Sequence, residues 1–147
     1  MFALQREHGS WGTQDCWPPY ESDAYHLASV AAMAATAAPG WIDAIVKEQD
    51  KQLLTQLDKL QKYLRTQSPH DYGRTLLLWA AARMPGLVDQ TEKKKLIQML
   101  LAHQQSDGGW SIRTMAEPEA WGRGNRAEKI RSEPRFDTPE SDGHMTG

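Results

Sequence analysis

Apolar positions recur three or four residues apart along most of this chain, with charged residues in the gaps, which is the pattern of helices that bury one face. From Asp23 to Ala38 the sequence is Ala-rich, with Leu27, Val30 and Met33 inside it. Ser22 or Asp23 is placed to cap its start, and Pro39-Gly40 stops it. From Trp41 to about Arg65, the residues Ile42, Ile45, Val46, Leu53, Leu57, Leu60 and Leu64 form one stripe, backed by Lys47, Glu48, Lys51, Asp58 and Lys62. One long two-faced helix is the expectation there. Asp71 to Met84 carries Tyr72, Leu76, Leu77, Trp79 and Ala80 and ends at a second Pro-Gly, Pro85-Gly86. Glu92 to Gln104 follows Asp89 in capping-box spacing and sets Leu96, Ile97, Leu100 and Leu101 on one side. No segment shows the alternation of a strand, so the expected fold is all-α: two hairpins, each pairing a mostly apolar first helix with an amphipathic second one.

The punctuation between these helices repeats. Phe2-Ala3-Leu4-Gln5 through Gly9 to Trp11 matches Leu101-Ala102-His103-Gln104 through Gly108 to Trp110, giving Gln-x3-Gly-x-Trp twice. Pro39-Gly40-Trp41-Ile42-Asp43 matches Pro85-Gly86-Leu87-Val88-Asp89, and Glu21-Ser22-Asp23 matches Glu140-Ser141-Asp142. Hairpins that recur in this way bury a continuous core by stacking on their neighbours, the Ala-rich helices inside and the striped ones facing water.

The paired Gln-x3-Gly-x-Trp segments resemble the QW motif of the triterpene cyclases, and similar Gly-x-Trp repeats occur in protein prenyltransferase β subunits. The motif is complete at Gln5, Gly9 and Trp11 and at Gln104, Gly108 and Trp110. The copy expected after Leu64 keeps Gln67 but lacks its Gly and Trp. The resemblance implies a partial α/α-toroid of inner and outer helices over residues 1–112. In it Gln caps a neighbouring helix end, Gly allows a tight turn and Trp covers a hairpin junction. Phe2 reads as the last turn of an outer helix and residues 141–147 as the first turn of a further inner one, so a fragment is expected, with self-association if the ring is incomplete.

Composition narrows the chemistry. The net charge of -2 and pI near 6.2 offer no basic field for nucleic acid. The single Cys16 forms neither an internal disulfide nor a thiolate zinc cluster. Residues 1–11 have no apolar leader, and the longest apolar run, Leu27 to Ala38, falls short of a membrane span, leaving a cytoplasmic or membrane-peripheral place as the default. The cyclase resemblance implies protonation by a D-x-D-D acid, which this sequence lacks. The prenyltransferase resemblance implies a zinc site, but Cys16 sits in Asp15-Cys16-Trp17 without the expected spacing, so neither metal nor cofactor is expected.

The remaining candidates stand at the starts of the proposed inner helices: Asp23 and His26, then His70 and Asp71 with Arg74, then Asp142 and His144. Asp beside His supplies acid/base partners or metal ligands. The simpler reading makes the aspartates helix caps that also complement the helix dipole, the histidines structural or solvated, and Arg74 an ion-pair partner. Trp17, Tyr20, Tyr25, Tyr72 and Trp79 are candidates to line a cavity and face a carbocation with their rings, as the cyclase resemblance implies; core packing is the alternative for Tyr72 and Trp79. Residues 113–140 differ from the rest, with mixed charge, Pro118, Pro134, Pro139 and Gly122-Arg123-Gly124, and read as a surface insertion or a cavity lid. Two functions follow: an isoprenoid-cyclising toroid of which this piece is scaffold and cavity wall, taking an apolar isoprenoid-type molecule, or a non-catalytic helical repeat that binds a ligand or protein partner.

Overall fold

The computed structural model describes residues 1–12, 23–121, 132, 144 and 145. The fold is all-α, and the described residues hold six α-helices: α1 (Ala24–Ala37), α2 (Trp41–Glu48), α3 (Lys51–Thr66), α4 (Asp71–Arg83), α5 (Gln90–Ala102) and the short α6 (Ile112–Met115). Each start is fastened by a side chain where the sequence supplies one. Asp23 accepts from His26 N at 2.7 Å, Asp50 from Leu53 N at 3.0 Å, His70 Nδ1 from Gly73 N at 3.1 Å and Asp89 from Glu92 N at 2.7 Å.

The expected single helix from Trp41 to Arg65 is two helices. Gln49 takes a left-handed conformation (φ 54°), its N–H returning to Val46 O at 3.3 Å while Asp50 N returns to Ile45 O at 3.2 Å. Asp50 then caps α3 afresh. The periodicity hid the break because Val46 and Leu53 lie seven residues apart, two full turns of an uninterrupted helix. This also changes a correspondence. Asp43 lies in the first turn of α2, and the counterpart of the cap Asp89 is Asp50, so the first hairpin carries α2 as an extra element where the second has only Leu87 and Val88.

Helix α1 is central: it packs on α2, α3 and α4, and α4 packs in turn on α5 and α6. Its alanines make this possible. Ala28, Ala31, Ala32 and Ala35 form one buried face at i, i+3, i+4, i+7 spacing, and their small side chains let the neighbouring helices approach its backbone closely. Leu60, Leu64, Leu77, Met84, Leu87, Ile112 and Met115 fill the spaces between helices. The start of each hairpin's first helix is tied to the end of its second. The Tyr25 hydroxyl donates to Leu64 O at 2.7 Å, and Asp71 Oδ2 meets His103 Nε2 at 2.8 Å. Both hairpins are therefore antiparallel. The two Pro-Gly turns share one end of the molecule, where Ala38, Gly40, Arg83 and Pro85 line a common cleft of about 300 Å³, so α1 and α4 run side by side in the same direction.

The two Gln-x3-Gly-x-Trp segments have the same internal bonding. Gln5 Nε2 donates to Gly9 O at 3.1 Å and Gln104 Nε2 to Gly108 O at 2.7 Å. Trp11 Nε1 donates to Met1 O at 3.1 Å and Trp110 Nε1 to Leu100 O at 2.7 Å, ten residues back in each case. Arg6 N reaches Ser10 O and Gln105 N reaches Gly109 O, both at 2.8 Å, with Gly9 and Gly108 at φ 103° and 87°. The glutamine's role differs from the expected helix-end cap: it closes its own loop, and Gln5 also reaches Gln56 O in the middle of α3, at 3.0 Å.

At the C-terminal side, His144–Met145 is not the start of a helix. It forms a short strand (β2) antiparallel to Trp110–Ser111 (β1), pairing Trp110 with Met145 and Ser111 with His144. The packed body also runs past residue 112, since Ile112 and Met115 of α6 are buried and a 3₁₀ turn follows at Pro118–Trp121. The rest of the 113–140 stretch lies outside the described residues except for Ser132, as do Cys16, Trp17, Tyr20 and Asp142.

Candidate functional site

The polar candidates gather where α1 and α4 begin. Asp23 spends one carboxylate oxygen on the N–H of His26, and its charge is felt by Tyr25, Tyr63, His70 and Tyr72 around it. Burial pushes the Tyr25 phenol well above its usual range, against the opposing effect of a Ser68 hydroxyl, and raises Tyr63 and Tyr72 as well. These phenols are held protonated at neutral pH. His70 is shifted the other way: burial lowers its pKa, outweighing the attraction of Asp23 and Asp71. A neutral ring is also what its capping role needs, because Nδ1 accepts the Gly73 N–H.

Asp71 lies one residue further on, between Arg74 and His103. Partial burial works against its charge, but hydrogen bonds from His103 and Arg74 prevail and hold the carboxyl below the usual aspartate range. An aspartate in this state is a poor proton donor and a good anchor. The Nδ1 of His26 is buried without a partner among the described residues. No three His, Cys, Asp or Glu side chains among the described residues stand close enough together to hold a metal ion.

The aromatic candidates separate. Tyr25 and Tyr72 are 3% and 8% exposed and belong to the core between helices. Trp79 is 52% exposed and lies in a groove of about 330 Å³ along the α1–α4 seam, with Val30, Met33, Ala34, Ala37 and Arg83. Val30, Met33, Ala34 and Ala37 follow the i, i+3, i+4, i+7 spacing of one helix face, distinct from the Tyr25, Ala28, Ala32 and Ala35 face that enters the core. Helix α1 thus has two apolar faces, one of them open. The spacing stands in the sequence, but an Ala-rich helix of almost uniform hydrophobicity conceals which face is buried, so the groove itself was not legible there. Asp71 and Trp79 are eight residues apart on α4, a rise of about 12 Å, so the polar cluster stands at one end of the helix pair that carries the groove.

No protein-family model, curated protein or solved structure matches the chain. No single helix among the described residues is long and apolar enough to cross a membrane.

Proposed function

We propose that this chain is a wall segment of a triterpene-cyclase-like α/α-toroid, and that the open face of α1 and α4 lies against an apolar isoprenoid-type ligand. The observation that carries the reading is the α1–α4 groove, in which Val30 is 41% and Trp79 52% exposed beside small alanines. A large indole and a branched aliphatic left uncovered on two adjacent helices are what an apolar ligand would cover. The indole face would also favour a developing cation. Two parallel first helices, each backed by an antiparallel amphipathic partner, and two identically bonded Gln-x3-Gly-x-Trp segments support the inner and outer helices of such a ring and its QW repeats. The reading rests on the resemblance of the Gln-x3-Gly-x-Trp motif and of the hairpin pattern. No proton donor is assigned, since Asp71 is held ionised and D-x-D-D is absent.

The test is binding of squalene, presented in detergent micelles, read by tryptophan fluorescence. We expect a saturable change that is lost in Trp79→Phe and an affinity at least tenfold weaker in Val30→Asp, which puts a charge in the groove without touching the core. No saturable signal, or equal binding by wild type and both variants, would remove this reading and leave the helical repeat that binds a macromolecular partner.

A further inference from the structure

The two Gln-x3-Gly-x-Trp segments have the same shape and unlike surroundings. The first is clasped by α3. Gln5 Nε2 donates to Gln56 O at 3.0 Å, Gln56 Nε2 donates back to Phe2 O at 2.9 Å, and Gly9 approaches the Lys59 carbonyl so closely that a Cβ at Gly9 would stand 2.2 Å from its oxygen. Phe2 completes the contact, 6% exposed and stacked on Trp41 with 5.9 Å between ring centroids.

The second segment has the same equipment, and although its His103 meets Asp71 of α4 and its Trp110 pairs with β2, no contact of the α3 kind is made at Leu101, Gln104 and Gly108 among the described residues. Leu101, in the place of Phe2, is 57% exposed. Gln104 makes its bond to Gly108 O, but the one that Gln5 sends to a helix has no counterpart among the described residues. Among the described residues, the nearest atom to a Cβ built at Gly108 would be the Gln104 carboxamide, at 4.0 Å. Ile97, one turn before Leu101 on α5, is 39% exposed and extends the same apolar strip. Gly108 stands at φ 87° with no helix pressed on it among the described residues, so the geometry for close approach is present there and no described residue occupies it.

We propose that the surface formed by Ile97, Leu101, Gln104 and Gly108 docks an amphipathic α-helix of the α3 kind: leucines on one face, a glutamine at its edge to reach the Leu101 carbonyl, and bare backbone one turn on, against Gly108. The occupant is a partner helix of that chemistry. The basis is the α3 clasp, the same surface already filled once within this molecule. Most of what the loop recognises there is main chain, the Gln56 and Lys59 carbonyls, so helix geometry and an apolar face matter more than a fixed sequence. The proposal stands apart from the α1–α4 groove and does not depend on it.

The probe is a fluorescein-labelled, helix-stapled peptide with the Lys51–Thr66 sequence, titrated with the full chain and followed by anisotropy. Saturable binding is expected. It should weaken at least tenfold in Leu101→Asp, an exposed position whose change leaves the core intact, and at least tenfold in Gly108→Leu with unchanged circular dichroism, while Leu4→Asp on the occupied first segment has no effect. A peptide with the leucines scrambled should not bind. The proposal is overturned by absence of saturable binding, or by binding that Leu101→Asp leaves unchanged. It is equally overturned if sedimentation shows wild type associating with itself through a contact that Leu101→Asp abolishes, for then a second copy is the occupant.

Discussion

At the scale of single residues, two glycines with similar backbones are predicted to behave differently. Gly9 and Gly40 both have positive φ, but a Cβ at Gly40 meets nothing within 4 Å, whereas at Gly9 it collides with the Lys59 carbonyl. Gly40→Ala should cost about 1 kcal/mol, the left-handed penalty alone, and Gly9→Ala about 2 to 4 kcal/mol, because overpacking against α3 is added. Urea denaturation of the two variants checks this; equal losses would mean that Gly9 is held by its turn and not by α3. Both glycines were visible in the sequence as turn formers. The α3 contact was not, since nothing near Gly9 announces a partner some fifty residues away. The same blindness applied to the aromatics: Tyr25 and Trp79 look alike as apolar rings on apolar helices, and only the placement of α3 and α4 around α1 makes one core and leaves the other open.

Among the elements, helix existence and type were legible from period and punctuation, and Asp23 and Asp89 cap helix starts as read, whereas Asp71 does not: His70 caps α4, and Asp71, the first helical residue, pairs with Arg74 and His103 instead. The α2–α3 break was not legible. Asp50 was the available signal, a cap residue three before Leu53, but an unbroken stripe overrode it. The Asp71–His103 contact joins the start of α4 to the end of α5 and carries a pH signature. Because the folded Asp71 pKa is depressed, its contribution is present above the ordinary aspartate value of 3.8 and is lost as pH falls through the lower folded value. Asp71→Asn should therefore cost up to about 1 kcal/mol at pH 7, the group being partly solvated, and the difference from wild type should vanish in strong acid. Urea midpoints across pH 2 to about 7 measure this. A deficit that persists at the acid end would show that the carboxylate charge is not the cause.

For the whole molecule, the all-α class followed from the sequence, while the groove on α1 and α4 and the unlike surroundings of the two loops came only from the assembled fold. Stability should be distributed to match. The α1–α4 seam is the centre of packing, and the first Gln-x3-Gly-x-Trp loop is locked to α3 where the second is not. Amide exchange followed by mass spectrometry should find α1 and α4 slowest, and residues 103–109 exchanging faster than residues 4–10 although the two loops share their Gln-to-Gly and main-chain hydrogen bonds. Similar rates in the two loops would show that each is stable without a helix beside it.

The α3 clasp also bears on how the protein is made. Phe2 and Gln56 hold each other across 54 residues, so the first loop stays uncovered on the ribosome until α3 has emerged, an interval of roughly 3 to 10 s at ordinary rates of translation. Throughout that time Phe2 and Trp11 are exposed on a nascent chain, a form a chaperone would recognise, and slowing synthesis between codons 12 and 56 would lengthen that exposure without altering a single residue of the finished fold.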